Sequence, residues 1–327
     1  MRKERLSGEF SMPAKNKILV TGGAGFIGSH LVDRFIEKGS KVTVFDNLSS
    51  GKMEFIENHL ENPDFTLIKG DLLDRDAIEK ACKDIDFVCH VAANPDVRLG
   101  ASDTRVHLDQ NILATYNLLE AMRKNNIKKI AFTSTSTVYG EASIMPTPED
   151  YGPLIPISLY GASKLACEAF ITSYSHTFDM QAWIFRFANI VGPRSTHGIT
   201  VDFIKKLWKN SNMLEILGDG KQEKSYLHVS ECVDAMLFLI DNSKEKVNIF
   251  NIGSEDTISA TEIGKAVIEE MGLSNVEFIY TGGNRGWKGD VPRMRLGIEK
   301  MKNLGWKPVY TSERSVRETA RALLERD

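Results

Sequence analysis

Tyr160 and Lys164 stand four residues apart in the run Tyr160-Gly161-Ala162-Ser163-Lys164. If the segment is helical, both side chains project from one face, a turn apart. An ammonium beside a phenol favours the phenolate and lowers a pKa that starts near ~10, so such a pair can act as a base at neutral pH. By itself the spacing is weak, because tyrosine and lysine fall at this interval by chance on many surface helices. It gains meaning only if the chain also supplies a cofactor and a third polar group.

A cofactor site is readable near the start. The apolar run Lys17 to Val20 leads into Thr21-Gly22-Gly23-Ala24-Gly25-Phe26-Ile27-Gly28, and a helical pattern follows with Ile27, Leu31, Phe35 and Ile36 on one face, ending near Gly39. Gly22, Gly25 and Gly28 allow a tight turn, close approach of a pyrophosphate to backbone, and close packing of helix on strand. The free N–H groups at the helix start, those of Phe26, Ile27 and Gly28 among them, then receive the anion. A second strand, Lys41 to Phe45, ends at Asp46, placed to accept hydrogen bonds from an adenosine ribose. A carboxylate there repels a 2′-phosphate, which favours NAD over NADP.

Further apolar runs end in the same manner. Phe65 to Ile68 leads to Asp71 and Leu72, where a carboxylate can meet the adenine amino group. Phe87 to Val91 leads to Ala92 and Ala93, small enough to let backbone lie against the cofactor. The C-terminal ends of parallel strands are where open α/β sheets bind ligands. His90 sits inside an apolar run and is expected to be a hydrogen-bonded core histidine. A helix is expected from about Thr104 to Asn125, and its Asn111 could reach the cofactor side. The run Lys129 to Phe132 feeds five consecutive hydroxyl residues, Thr133 to Thr137, which could be turn and capping chemistry only.

Composition sets the bounds. With 327 residues and a net charge of -3, the chain can bury a large core and offers no basic field for nucleic acid. Cys82, Cys89, Cys167 and Cys232 lack paired spacing and read as reduced packing residues, with no metal site expected. No apolar run approaches the ~20 residues needed to span a bilayer, so a cytoplasmic protein is expected. Residues 1–16 are polar and mixed in charge and read as a flexible tail outside the fold.

Twenty-five residues separate Thr135 from Tyr160, and with these segments in view the chain resembles the extended short-chain dehydrogenase/reductases, among them the nucleotide-sugar 4-epimerases of the UDP-glucose (UDP-galactose) type. The resemblance spans nearly all of residues 17–310 and rests on Thr21 to Gly28, Asp46-Asn47-Leu48-Ser49-Ser50-Gly51, Ser134 to Gly140, Tyr160 to Lys164, Gly218 to Gln222 and Tyr226 to Val229. It implies an α/β fold with a Rossmann-type doubly wound parallel sheet and a smaller C-terminal domain. Asn47, Ser50 and Gly51 join Asp46 on the cofactor, Thr135 is the active hydroxyl, Tyr160 the base, and Lys164 the holder of the nicotinamide ribose.

Related dehydratases carry Asp-Glu near this hydroxyl, and related decarboxylases a glutamate. No acid lies between Thr133 and Tyr139. That absence points to oxidation and re-reduction of one carbinol, that is, to 4-epimerisation. The alternatives are another UDP-sugar oxidoreductase or decarboxylase, or a non-catalytic NAD-binding redox sensor, which would be expected to lose Thr135, Tyr160 or Lys164.

After Ala182 to Phe187 the strand–helix rhythm breaks. The NAD-binding domain is therefore expected at 17–188, with 230–252 returning to it, and a nucleotide-sugar domain at 189–229 and 253–327. The resemblance places Asn189 on the sugar-nucleotide phosphates. At two positions where the family has arginine this chain carries Lys224 and Trp287, the latter three residues before Asp290, with Arg285 as a substitute. Trp287 could stack on a base or sugar or simply plug a gap. Met294 aligns with a position that helps decide whether an N-acetyl group fits. A homodimer is implied, pairing the helices of Asn111 and Tyr160 with their copies.

Overall fold

The computed structural model describes residues 16–287 and 289–325; the expected tail at 1–16 falls outside them except for Asn16. In chain order the strands are β1 (Lys17–Thr21), β2 (Lys41–Asp46), β3 (Phe65–Lys69), β4 (Phe87–His90), β5 (Lys129–Thr135), β6 (Gln181–Phe187), β7 (Asn189–Val191), β8 (Met213–Ile216), β9 (Glu223–Lys224), β10 (Tyr226–His228), β11 (Val247–Ile252), β12 (Ile258–Ser259), β13 (Glu277–Tyr280) and β14 (Arg293–Met294). The main helices are α1 (Phe26–Glu37), α2 (Arg75–Ala81), α3 (Ala114–Lys124), α4 (Leu159–Thr177), α5 (Ile199–Lys209), α6 (Val229–Asn242), α7 (Ala260–Glu270), α8 (Glu299–Asn303) and α9 (Ser312–Leu324).

Seven strands form one parallel sheet in the order β11-β6-β5-β4-β1-β2-β3. The chain winds outward from β1 through β2 to β3, then returns to β4 and runs the other way. The direction reverses between β1 and β4, and a crevice at their C-terminal ends is the place such sheets offer a ligand. Short apolar strands suit this sheet because both faces are covered. In β1 the alternation is visible residue by residue: Ile18 and Val20 join the layer of α1 and α6 with Phe35, Val44 and Met236, while Leu19 joins the layer of α3 and α4 with Leu118, Phe132 and Ile171.

The strand β11 pairs with β6 along its whole length, and α6 packs against α1. The remaining C-terminal elements gather around a separate cluster in which Phe203, Leu214, Ile263, Val267 and Val316 are buried. There β8 pairs with β13, while β9 lies between β12 and β14.

Two local features differ from expectation. The helix expected from Thr104 is not uniform, because Leu108–Leu113 is a π-helical stretch leading into α3. Its buried Asn111 accepts from Asn94 N–H at 2.8 Å and donates to Ser163 Oγ at 2.8 Å, long-range bonds that are unavailable to a regular surface turn. The strand Lys129–Phe132 runs on to Thr135, so Thr133 and Ser134 are strand residues and Thr135 stands at the junction with a 3-10 turn, Ser136–Tyr139.

Candidate active site

The glycine loop between β1 and α1 is held from both sides of the crevice. Gly22 has φ +71°, and a Cβ there would come within 2.7 Å of Ala92 backbone, so the loop and the segment after β4 approach as only a glycine permits. Gly25 is the N-cap of α1 and makes no side-chain cap. Its N–H bonds the Gly22 carbonyl, and Ser29 N–H bonds the Gly25 carbonyl. The N–H groups of Phe26, Ile27 and Gly28 open the first turn, where no intrahelical acceptor is available to them and an anion can be received.

Asp46 is buried at the end of β2. Its carboxylate accepts Ala24 N–H at 2.9 Å and Leu48 N–H at 2.8 Å. Burial pushes its carboxyl above the ordinary range, and these two bonds pull the other way. Each oxygen keeps a lone pair for a ribose hydroxyl. Gly51 folds over it, and a side chain there would press to 2.9 Å from Asp46 Oδ1. Ser50 lies beside Gly51 on the same exposed loop.

Asn47 donates to Asp71 Oδ2 at 3.0 Å, while Leu72 is buried with its carbonyl bonded by Asn117. Ala92 N–H bonds the Thr21 carbonyl, and Ala93 follows it along the same edge. Open helical N–H groups, a carboxylate at the end of the second strand and a wall of small residues fit NAD. Asn111 is placed behind this wall, as the tie between Asn94 and α4 described above.

Tyr160 lies in the first turn of α4, capped by Ser158, whose Oγ accepts Gly161 N–H. Lys164 follows one turn later and is buried. Its Nζ donates to the Thr133 carbonyl at 2.8 Å and lies 4.6 Å from the centre of the Phe132 ring. Thr135 is also buried, its Oγ1 accepting from Thr137 N–H and Thr137 Oγ1, both at 3.2 Å. Burial pushes the Tyr160 phenol well above its ordinary value, with Cys167 adding to the rise and the Thr135 hydroxyl pulling the other way. Lys164 is lowered to about 8 by burial, with Cys167 and Glu168 pulling it up. The sequence suggested that Lys164 would depress the tyrosine; within the protein alone burial dominates, and the ammonium is directed at a backbone carbonyl.

Sequence reasoning missed the polar network under this site. Ser134 Oγ donates to Glu168 Oε1 at 2.5 Å, and Glu168 is clamped by Arg186, with Nη2 to Oε2 at 2.7 Å and Nε to Oε1 at 3.1 Å. Arg186 Nη1 bonds Tyr139 OH at 2.9 Å, and that hydroxyl donates to Asn251 Oδ1 at 2.7 Å. An acid therefore does bond the hydroxyl run, at Ser134, delivered by α4 rather than by the run itself. Its position four residues after Lys164 was the available signal. Both of its oxygens are held in a buried bidentate pair with Arg186.

His90 is a neutral core histidine, lowered to about 3 by burial, with Nδ1 2.7 Å from Thr21 Oγ1 and Nε2 2.9 Å from Thr115 Oγ1. The four cysteines are free and buried.

Across the crevice, Lys224 and Asp290 meet at 2.5 Å with Asp290 almost fully buried, and Lys224 Nζ lies 5.1 Å from the centre of the Trp287 ring. Arg285 bonds the Asp290 carbonyl and, at 2.6 Å, Glu141 after β5. Asn189 Nδ2 donates to the Ser225 carbonyl at 3.2 Å. Met294 packs beside Val138, Tyr139 and Ala188. The substrate-side residues named from sequence are thus brought together, with Glu141 and Arg98, whose guanidinium lies 6.0 Å from the Trp287 ring centre, as unforeseen neighbours. Among the described residues, no helix is long and apolar enough to cross a membrane.

Comparison with known proteins follows the same lines. The description "NAD dependent epimerase/dehydratase family" belongs to a family model that matches residues 18–253. A crystal structure of a UDP-galactose 4-epimerase is 41% identical, with a TM-score of 0.85, covering 95% of this chain and 99% of that one. A Thermus thermophilus UDP-glucose 4-epimerase solved as a complex with NAD is 30% identical, with a TM-score of 0.83 and coverage of 94% and 99%. The UDP-N-acetyl-alpha-D-glucosaminuronate decarboxylase of Bacillus cytotoxicus is 31% identical over 93% of this chain and 97% of its own length.

Proposed function

The chain belongs to the NAD-dependent epimerase/dehydratase family, and within it we propose that it inverts C4 of a UDP-hexose of the UDP-glucose/UDP-galactose type, through a transient 4-keto sugar, with acceptance of the N-acetylated forms left to the assay below. When bound, NAD supplies the hydride acceptor and donor at its nicotinamide. Tyr160, as phenolate, takes the proton of the sugar 4-hydroxyl and returns it after the sugar has turned. Thr135 hydrogen-bonds the 4-oxygen and passes the proton between oxygen and phenol. Lys164 holds the nicotinamide ribose and supplies positive charge below about pH 8. Burial raises the phenol and the Thr135 hydroxyl pulls the other way, so the hydroxyl is the side chain that favours its base form.

The observation that carries this proposal is the state of Glu168. It bonds Ser134, the neighbour of Thr135 in β5, and both of its oxygens are taken up by Ser134 and Arg186. Elimination of water and decarboxylation lack a mobile acid or base there, whereas reversible oxidation needs only Tyr160, Thr135 and Lys164. Asn189, Lys224, Arg285 and Asp290 would hold the nucleotide diphosphate. The protein would be incubated separately with UDP-glucose, UDP-N-acetylglucosamine and UDP-glucuronate, and the products resolved by NMR. The 4-epimer of at least one, with no net NADH, is expected; release of CO2 from UDP-glucuronate or a dehydrated 4-keto-6-deoxy product in place of an epimer would refute it.

A further inference from the structure

At the two positions where the resemblance implies arginine, this chain has Lys224 and Trp287. A lysine gives a point charge, whereas the two oxygens of a phosphate are best met by a planar fork. The cations that remain are already engaged: Lys224 is paired with Asp290 at 2.5 Å and Arg285 with Glu141 at 2.6 Å. A third cation reaches the same spot from the opposite wall. Arg98, in the loop after β4, is exposed and lies over Trp287, the ring that also carries Lys224. Its guanidinium makes no ion pair with a carboxylate among the described residues.

The backbone at Arg98 is fixed. Asp96 Oδ1 accepts the Arg98 and Leu99 N–H groups at 2.9 and 3.3 Å. Gly100 lets the loop seat on His107 and Leu159, a Cβ there lying 3.0 Å from the His107 ring, and His107 packs against Tyr160 with ring centres 5.7 Å apart. A loop so anchored next to the reacting tyrosine holds a guanidinium at the mouth of the crevice, with the Trp287 face keeping it extended.

We propose that Arg98 supplies the bidentate diphosphate contact that residues 224 and 287 no longer provide, clamping the nucleotide sugar from the NAD side of the crevice with Trp287 as its platform. The inference rests on the crevice being a nucleotide-sugar site, as proposed above. A carboxylate on the sugar would present the same pair of oxygens, so the test separates the two sources.

Wild-type, Arg98→Ala and Arg98→Lys proteins, each full length and loaded with NAD, are titrated calorimetrically with UDP, UMP, UDP-glucose and UDP-glucuronate. Loss of a charge-assisted bidentate contact corresponds to a weakening of about tenfold or more. Arg98→Ala is expected to lose that factor for UDP, UDP-glucose and UDP-glucuronate alike and far less for UMP, with Arg98→Lys recovering only part. Unchanged UDP affinity in Arg98→Ala, full recovery in Arg98→Lys, or a loss confined to UDP-glucuronate would each overturn the assignment. Retained NAD and an unaltered melting temperature separate binding from misfolding, and Arg98→Lys keeps the charge should the alanine variant fail to fold. If UDP binding follows Arg98 but no UDP-sugar is epimerised, the proposed reaction fails and this assignment stands.

Discussion

Tyr160, the proposed base, has competing surroundings. Burial opposes the phenolate and the Thr135 hydroxyl favours it, while the buried Lys164 one helical turn away donates to the Thr133 carbonyl. Tyr160→Phe removes the acceptor of the substrate proton and leaves the NAD loop intact. Turnover should fall by about 10²–10⁴-fold while NAD stays bound, as checked by product formation alongside bound-nucleotide content; turnover within a few-fold of wild type would exclude the tyrosine as base. His90 makes a different prediction. Its folded pKa is about 3 against 6.5 in an open chain, so as pH falls below 6.5 the unfolded chain takes up a proton that the folded one refuses. The stability this histidine contributes is complete above 6.5 and drains away toward 3, by about 1.4 kcal/mol per pH unit inside that window. Melting temperatures of His90→Gln should therefore lie below wild type at pH 7 and converge with it as pH falls to 5; parallel curves would mean that His90 is not the neutral group bridging Thr21 and Thr115.

At the scale of elements, the strand–loop–helix unit of β1 and α1 is both core and binding surface. A Cβ at Gly28 would collide with the Gly22 carbonyl oxygen, so α1 could not start where its N–H groups face the crevice. Gly28→Ala should lose retained NAD, measured by nucleotide released on denaturing the purified protein; full NAD content would show that the loop tolerates the methyl. This unit could be read from the sequence because its determinants are local: glycines at fixed spacing, an apolar run before, a helical stripe after. The parallel sheet followed from the same alternation. The Glu168–Arg186 pair was not readable, since it joins α4 to β6 and only the packed fold brings Ser134 and Tyr139 to it. The π-helical stretch at Leu108–Leu113 was hidden likewise, because Asn111 is held there by partners 17 and 52 residues distant. Lys224, Asp290 and Arg285 were recognisable as a set through family resemblance, whereas Arg98 sits in a loop with no periodic signature.

For the whole molecule, the crevice lies where the sheet reverses direction, and contacts such as Arg285 with Glu141 join its two walls. On the outside, α3, α4 and the π-helical stretch leave Leu108, Leu113 and Phe170 exposed, with Tyr116 against Phe170. An apolar face of this kind suits a second copy, and the homodimer implied by resemblance is carried forward as a proposal. Light scattering at micromolar concentration should give twice 36.6 kDa, and a monomeric mass would count against it.

In the proposed reaction one hydrogen leaves C4 of the sugar and returns to the same carbon on the other face. UDP-glucose deuterated at C4 tests this directly, with the product followed by NMR in ordinary water. UDP-galactose that retains the deuterium at C4 is the predicted result; a product that has lost the label to solvent, or turnover without any 4-epimer, would contradict it.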